Sequence, residues 1–141
     1  MDEREFSQLG KLCVEQMFRS EGSVRKPLLM MEREGILLAF TLEFSEEIPI
    51  DELHTTLLNT LETEIRKADP PELFVGYEGF MLRDEVAIRV LVGIHYSDAG
   101  ERFWVAPTHG SGVGDWMEAP DDLPLFGFEG LWNRAKSYLR N

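Results

Sequence analysis

The chain reads as one α+β domain, and three observations carry that reading. Two apolar runs, 28–32 and 36–44, flank the short turn Arg33-Glu34-Gly35, as in a β-hairpin. One stripe of apolar residues at helical spacing precedes this hairpin and another follows it. Three further apolar segments come next, joined by short turns, and a last amphipathic helix closes the order α-ββ-α-βββ-α. Hairpins and short turns make an antiparallel sheet. About five strands are expected, with the amphipathic helices packed on one face.

The first helix is expected over residues 3–19. Phe6, Leu9, Cys13 and Met17 recur at helical spacing, and Val14 and Phe18 widen the stripe. Gly22 and Pro27 end it. In the second run Ile36, Leu38, Phe40, Leu42 and Phe44 share one face, and Leu37, Ala39, Thr41 and Glu43 the other. Its first part is apolar on both faces, which predicts a central strand. Asp51 is expected to cap the second helix through its carboxylate. Leu53, Leu57, Leu58, Leu61, Ile65 and Ala68 form that helix's stripe, and Asp69-Pro70-Pro71 stops it, because proline cannot continue the hydrogen bonding.

Strands are expected over 73–82, 86–96 and 102–106. Arg83-Asp84 joins the first pair, and Ser97-Asp98-Ala99-Gly100 is a turn by composition. In the middle strand Val86, Ile88, Val90, Val92, Ile94 and Tyr96 alternate with Ala87, Arg89, Leu91, Gly93 and His95. Residues 107–127, rich in glycine, proline and acid, read as a long irregular loop, a length that usually marks function or disorder. The last helix, 128–139, carries Leu131, Trp132, Ala135, Tyr138 and Leu139 on one side.

A chain of 141 residues fits a single domain, 1–141. At 43% hydrophobic and 28% charged it is too apolar for intrinsic disorder. No run approaches the roughly 18 apolar residues of a membrane span. The charged start, Met1 to Glu5, has no apolar stretch behind it and does not read as a secretory signal. The lone Cys13 excludes an internal disulfide and a multi-cysteine metal site. A soluble, cytoplasmic protein is expected.

The charge is unevenly spread. The chain has 26 acids, 14 bases and a formal net charge of −12. Residues 43–72 hold nine acids against Arg66 and Lys67, and residues 115–129 hold five acids and no base. These two segments account for the whole net charge. Such a chain repels nucleic-acid phosphates and anionic membranes, and it attracts a basic protein or a cation. Solubility alone is the plainer reading of the same acids.

The segment Val75-Gly76-Tyr77-Glu78-Gly79-Phe80-Met81 resembles a Glu-Ala-Trp-Met segment of small prokaryotic and phage-associated proteins with the same hairpin–helix–strands order. Here Gly79 stands for the alanine and Phe80 for the tryptophan. The resemblance spans residues 28–106. It implies the topology and a prokaryotic or viral origin, and no activity.

Each candidate for chemistry has a structural counterpart. Gly110-Ser111-Gly112-Val113-Gly114 has the glycines of a phosphate loop, but acids and a proline follow it where a helix and a lysine are needed. His95, His109, Glu78 and Asp98 could gather around a metal, yet their spacing matches no zinc pattern. The alternative is a surface His109 and a hydrogen-bonded, partly buried His95. Cys13, on an apolar helix face, reads as a structural thiol rather than a nucleophile. Ser111 lacks a nucleophile elbow, although it could meet a histidine in space. Glu78 and Arg89 suit a cross-strand ion pair. Trp116, in a polar loop, is either tucked back as a lid or offered to a partner.

The expected function is therefore a non-enzymatic interaction module of inhibitor, immunity, adaptor or chaperone type, docking a basic protein partner. Its binding residues would be Trp116, Met117, Asp115, Glu118, Asp121 and Asp122. The alternative is a small enzyme or ligand-binding protein with a pocket of Glu78, His95, His109 and Ser111 under the 107–127 loop. No cofactor and no metal are expected. A homodimer, with sheets or last helices paired across a two-fold axis, is compatible with both readings.

Overall fold

A computed structural model describes residues 3–24, 26–43, 50–119 and 128–139. The elements are α1 (Glu3–Glu21), β1 (Leu28–Arg33), β2 (Ile36–Thr41), α2 (Ile50–Ala68), β3 (Glu72–Arg83), β4 (Val86–Ser97), β5 (Gly100–His109), β6 (Gly112–Val113), β7 (Met117–Glu118) and α3 (Leu131–Leu139). The strands form one antiparallel sheet in the order β2-β1-β3-β4-β5-β6, and β7 also pairs with β5. The α+β, antiparallel architecture is the expected one. The sheet has seven strands among the described residues rather than about five.

The additional strands come from the stretch expected to be an irregular loop. β5 runs on to His109, where β6 turns back and pairs with Thr108 and His109. β7 then pairs with Trp104 and Val105. These strands are two residues each, too short for alternation to reveal. Residues 120–127 lie outside the described residues. Helix α2 begins at Ile50, which puts Asp51 in its first turn rather than in the capping position.

Tight turns join the strands. Glu34 and Gly35 both have positive φ, 53° and 79°, in the two-residue turn between β1 and β2. This backbone hand matches the twist of the strands that it joins. Asp84 and Glu85 do the same between β3 and β4, at 51° and 66°, with no glycine in the turn.

The helices do not share one face of the sheet. Leu29, Met31, Leu73, Val75, Val92, Ile94, Tyr96 and Val105 point to α2 and α3, where they meet Leu57, Leu61, Ile65, Leu131, Trp132 and Ala135. Their strand neighbours point the other way. Leu28 and Leu91 meet Val14 and Phe18 of α1, and Met30 and Phe74 meet Phe6. The period of two that builds one core therefore builds the second as well. An amphipathic helix reports that it has an apolar face, but not which side of a sheet it will cover. β2 is an edge strand, not a central one, and most of its residues are exposed.

Polar ties hold α3 in place. The Tyr96 hydroxyl donates to the Phe128 carbonyl at 2.7 Å. Lys136, nearly buried, donates to Asp69 Oδ1 at 2.6 Å and to the Pro70 carbonyl, just past the end of α2. Its ammonium lies 4.5 Å from the centre of the Trp132 ring. No described helix is long and apolar enough to cross a membrane.

Candidate functional site

The loop residues expected to bind a partner separate into two groups. Trp116 faces inward. Its ring packs with Val14, Phe18, Leu91 and Ala106, and its indole N–H donates to Glu15 of α1. It closes over the sheet like a lid. Its neighbours face outward: Asp115, Met117 and Glu118 are exposed, and Glu118 pairs with Arg102 at 2.8 Å. Asp121 and Asp122 lie outside the described residues.

The residues of the alternative pocket are not brought together. Glu78 pairs with Arg89 at 2.8 Å, the cross-strand pair read from the sequence, and accepts the Val24 N–H at 3.3 Å. His95 is buried, with Nε2 2.8 Å from Glu72 Oε2 and its ring 5.4 Å from that of Phe6. It stands opposite Arg102 in the β4–β5 register. His109 is exposed seven positions further along β5, roughly 23 Å away at strand rise. Ser111 is exposed in the β5–β6 turn. Asp98 accepts the Trp132 indole N–H at 3.3 Å. Among the described residues no group of three acids, histidines or cysteines could hold a metal. Burial raises the Cys13 thiol above its ordinary pKa, which works against a thiolate nucleophile.

Two other places stand out. The first is a cleft of about 490 Å³ between α1 and the sheet, lined by Arg4, Ser7, Gln8, Lys11, His95, Arg102 and Trp104. The helical residues recur three and four apart, so one face of α1 supplies them all. Arg102 and Trp104 are two apart on β5 and share a face. The Lys11 ammonium lies 3.9 Å from the centre of the Trp104 ring, and the Arg102 guanidinium carbon lies 5.3 Å from it. Burial, then the nearby Arg102 charge, hold the Lys11 pKa below its ordinary value.

The second place is the outer half of the β3–β4 hairpin. β1 leaves β3 at the Leu28–Gly76 pair, and β5 reaches β4 only from the Pro107–Val90 pair inward. Beyond these points β3 and β4 pair with each other as a two-stranded arm that ends at Asp84-Glu85. Phe80 is 67% exposed, Leu82 76% and Val86 61%. Phe80 and Leu82 share one face, and Val86 lies on the other. Sequence reasoning placed these residues in strands without seeing that the strands outrun their neighbours. The fully alternating pattern of 86–96 could have hinted at it, because that strand is longer than the sheet it serves.

Comparison with family models, curated proteins and solved structures gave no match.

Proposed function

We propose that the chain is a non-enzymatic protein-interaction module that docks a basic partner through the β3–β4 arm. The observation that supports this most is the exposure of Phe80 and Leu82 side by side on one face of an arm two strands wide, with Val86 exposed on the other face. Large apolar side chains grouped in this way mark binding surfaces. Both edges of the outer arm lack a strand partner among the described residues. An extended segment of the partner can add there by backbone hydrogen bonding, with Phe80 and Leu82 as side-chain anchors. The net charge of −12 favours a basic partner at long range.

The non-glycine turn at the tip supports the same reading. Asp84 and Glu85 hold left-handed backbone at φ 51° and 66°, and such strain tends to persist where a site uses it. Trp116, by contrast, takes a stabilising role here, and the exposed Asp115, Met117 and Glu118 add to the acidic rim.

The test compares the parent chain with a Phe80→Ser/Leu82→Ser variant as bait in its native lysate, eluted by a salt gradient. A basic protein held by the parent, released by salt and lost from the variant supports the proposal. Its affinity should fall at least about tenfold in the variant, the size expected of interface anchors. Equal capture by both baits overturns the arm. Light scattering of the pure parent and variant identifies the case in which the partner is a second copy.

A further inference from the structure

The cleft beside α1 gathers cations in a chain that has few of them. Only 14 bases stand against 26 acids, yet Arg4, Lys11 and Arg102 line one cavity. Among the described residues neither Arg4 nor Lys11 is within ion-pair distance of an acid. Of the carboxylates on these elements, Glu118 pairs with Arg102 at the cleft, while Glu72 is engaged with His95 and Glu15 with Trp116 and Arg19. Lys11 and Arg102 share the Trp104 indole without an anion between them. Placing like charges together costs free energy that an acid of the chain could have offset. Among the described residues Glu118 meets Arg102, and no acid pairs with Lys11 or Arg4.

We propose that this cleft is a binding site for a small, multiply charged oxyanion, a phosphate monoester or a dicarboxylate. Lys11 is its central contact. The ammonium is half-withdrawn from water against Trp104, so an anion meets it with part of its desolvation already done. Arg102 gives only part of its guanidinium to Glu118, through a single Nη2 contact at 2.8 Å. Five N–H donors leave room for a second acceptor. Arg4, exposed two helical turns before Lys11 on the same face of α1, adds a third positive charge at the rim. Gln8 adds amide donors, and Glu72 fixes the His95 ring in the wall. The depressed pKa of Lys11 fits a site whose counter-charge arrives from outside. A cavity of about 490 Å³ suits a small ligand and is too narrow for a folded partner. The site is separate from the β3–β4 arm, so either proposal can fail without the other.

The experiment uses the full chain and three probes: inorganic phosphate, succinate and chloride. Binding is read by the indole N–H shift of Trp104 and by calorimetry at fixed ionic strength. The expected result is saturable binding of phosphate or succinate, with chloride inert. Lys11→Gln and Arg102→Gln should each weaken it about tenfold or more, as for a lost charge-assisted contact. Lys67→Gln, an exposed lysine on α2, should leave it unchanged. The stronger of the two oxyanions assigns the ligand to the phosphate or the carboxylate class. Circular dichroism of Lys11→Gln confirms that it is folded, and Arg102→Gln gives a second variant if it is not. Equal, non-saturating shifts with all three anions, or unchanged binding in both folded variants, would overturn the proposal.

Discussion

Trp116 and Glu15 are 101 residues apart in sequence, and a hydrogen bond from the indole N–H to the carboxylate joins them. The contact ties the segment after β6 to the outer side of α1, over the core cluster of Val14, Phe18, Leu91 and Ala106. Replacing Trp116 with phenylalanine keeps one aromatic ring and removes the donor together with part of the packed surface. It should cost about 1–2 kcal/mol in a urea unfolding series. Trp116→Ala also opens a cavity and should cost about 3 kcal/mol. A change below about 0.5 kcal/mol for Trp116→Ala would mean that the indole does not serve as a lid.

Gly10 lies where α1 crosses the sheet, and a Cβ there would fall 2.4 Å from ring atoms of Phe74. Phe74 is fully buried and cannot swing away cheaply. Alanine favours a helix over glycine by roughly 1 kcal/mol, but here the clash should win. Gly10→Ala is expected to lower stability by about 1–3 kcal/mol, the cost of overpacking. A stabilised Gly10→Ala protein would show that α1 sits further from the sheet.

Burial raises the pKa of Tyr77 and of Tyr96 far above the ordinary value. Below about pH 10 both are protonated in the folded and the unfolded chain, and they leave stability independent of pH. Above it the unfolded chain releases protons that the folded chain keeps, so stability falls as pH rises. The absorbance of these two phenolates should appear together with unfolding, not before it. Tyr96→Phe also loses the 2.7 Å bond to the Phe128 carbonyl and should be about 1 kcal/mol less stable at neutral pH. Early ionisation of both tyrosines in a folded chain would contradict their burial.

The tip of the arm holds Glu85 at φ 66°. A left-handed residue with a Cβ costs roughly 1–2 kcal/mol, which glycine avoids. Glu85→Gly creates the Asp-Gly pair favoured in this turn. It should raise stability by about 0.5–1 kcal/mol in thermal unfolding, after the larger chain entropy of glycine is offset. An unchanged or lower melting temperature would mean that the strand pairing, not the turn, sets the tip.

Much of the architecture was legible in local pattern. The apolar stripe of Leu57, Leu61 and Ile65, the alternation of Val90, Val92 and Ile94, and the stop at Asp69-Pro70-Pro71 are all set by residues within a few positions of one another. The helical and strand periods need no tertiary information, so the order of the three helices and the five longer strands, and the antiparallel hairpins, follow from sequence by itself. So do the separation of the acids into two segments and the Glu78–Arg89 pair, which neighbouring strands bring together. What only the tertiary structure decided is which elements meet across distance. It put α1 opposite α2 and α3, left β2 at the edge, and carried β3 and β4 past their neighbours. It drew Trp116 onto Glu15 and set Arg102 beside Lys11 over one indole, while leaving His109 far from His95. The physical reason is that charge and aromatic contacts act through space. Their partners are chosen by how faces pack, and sequence spacing carries no record of that choice.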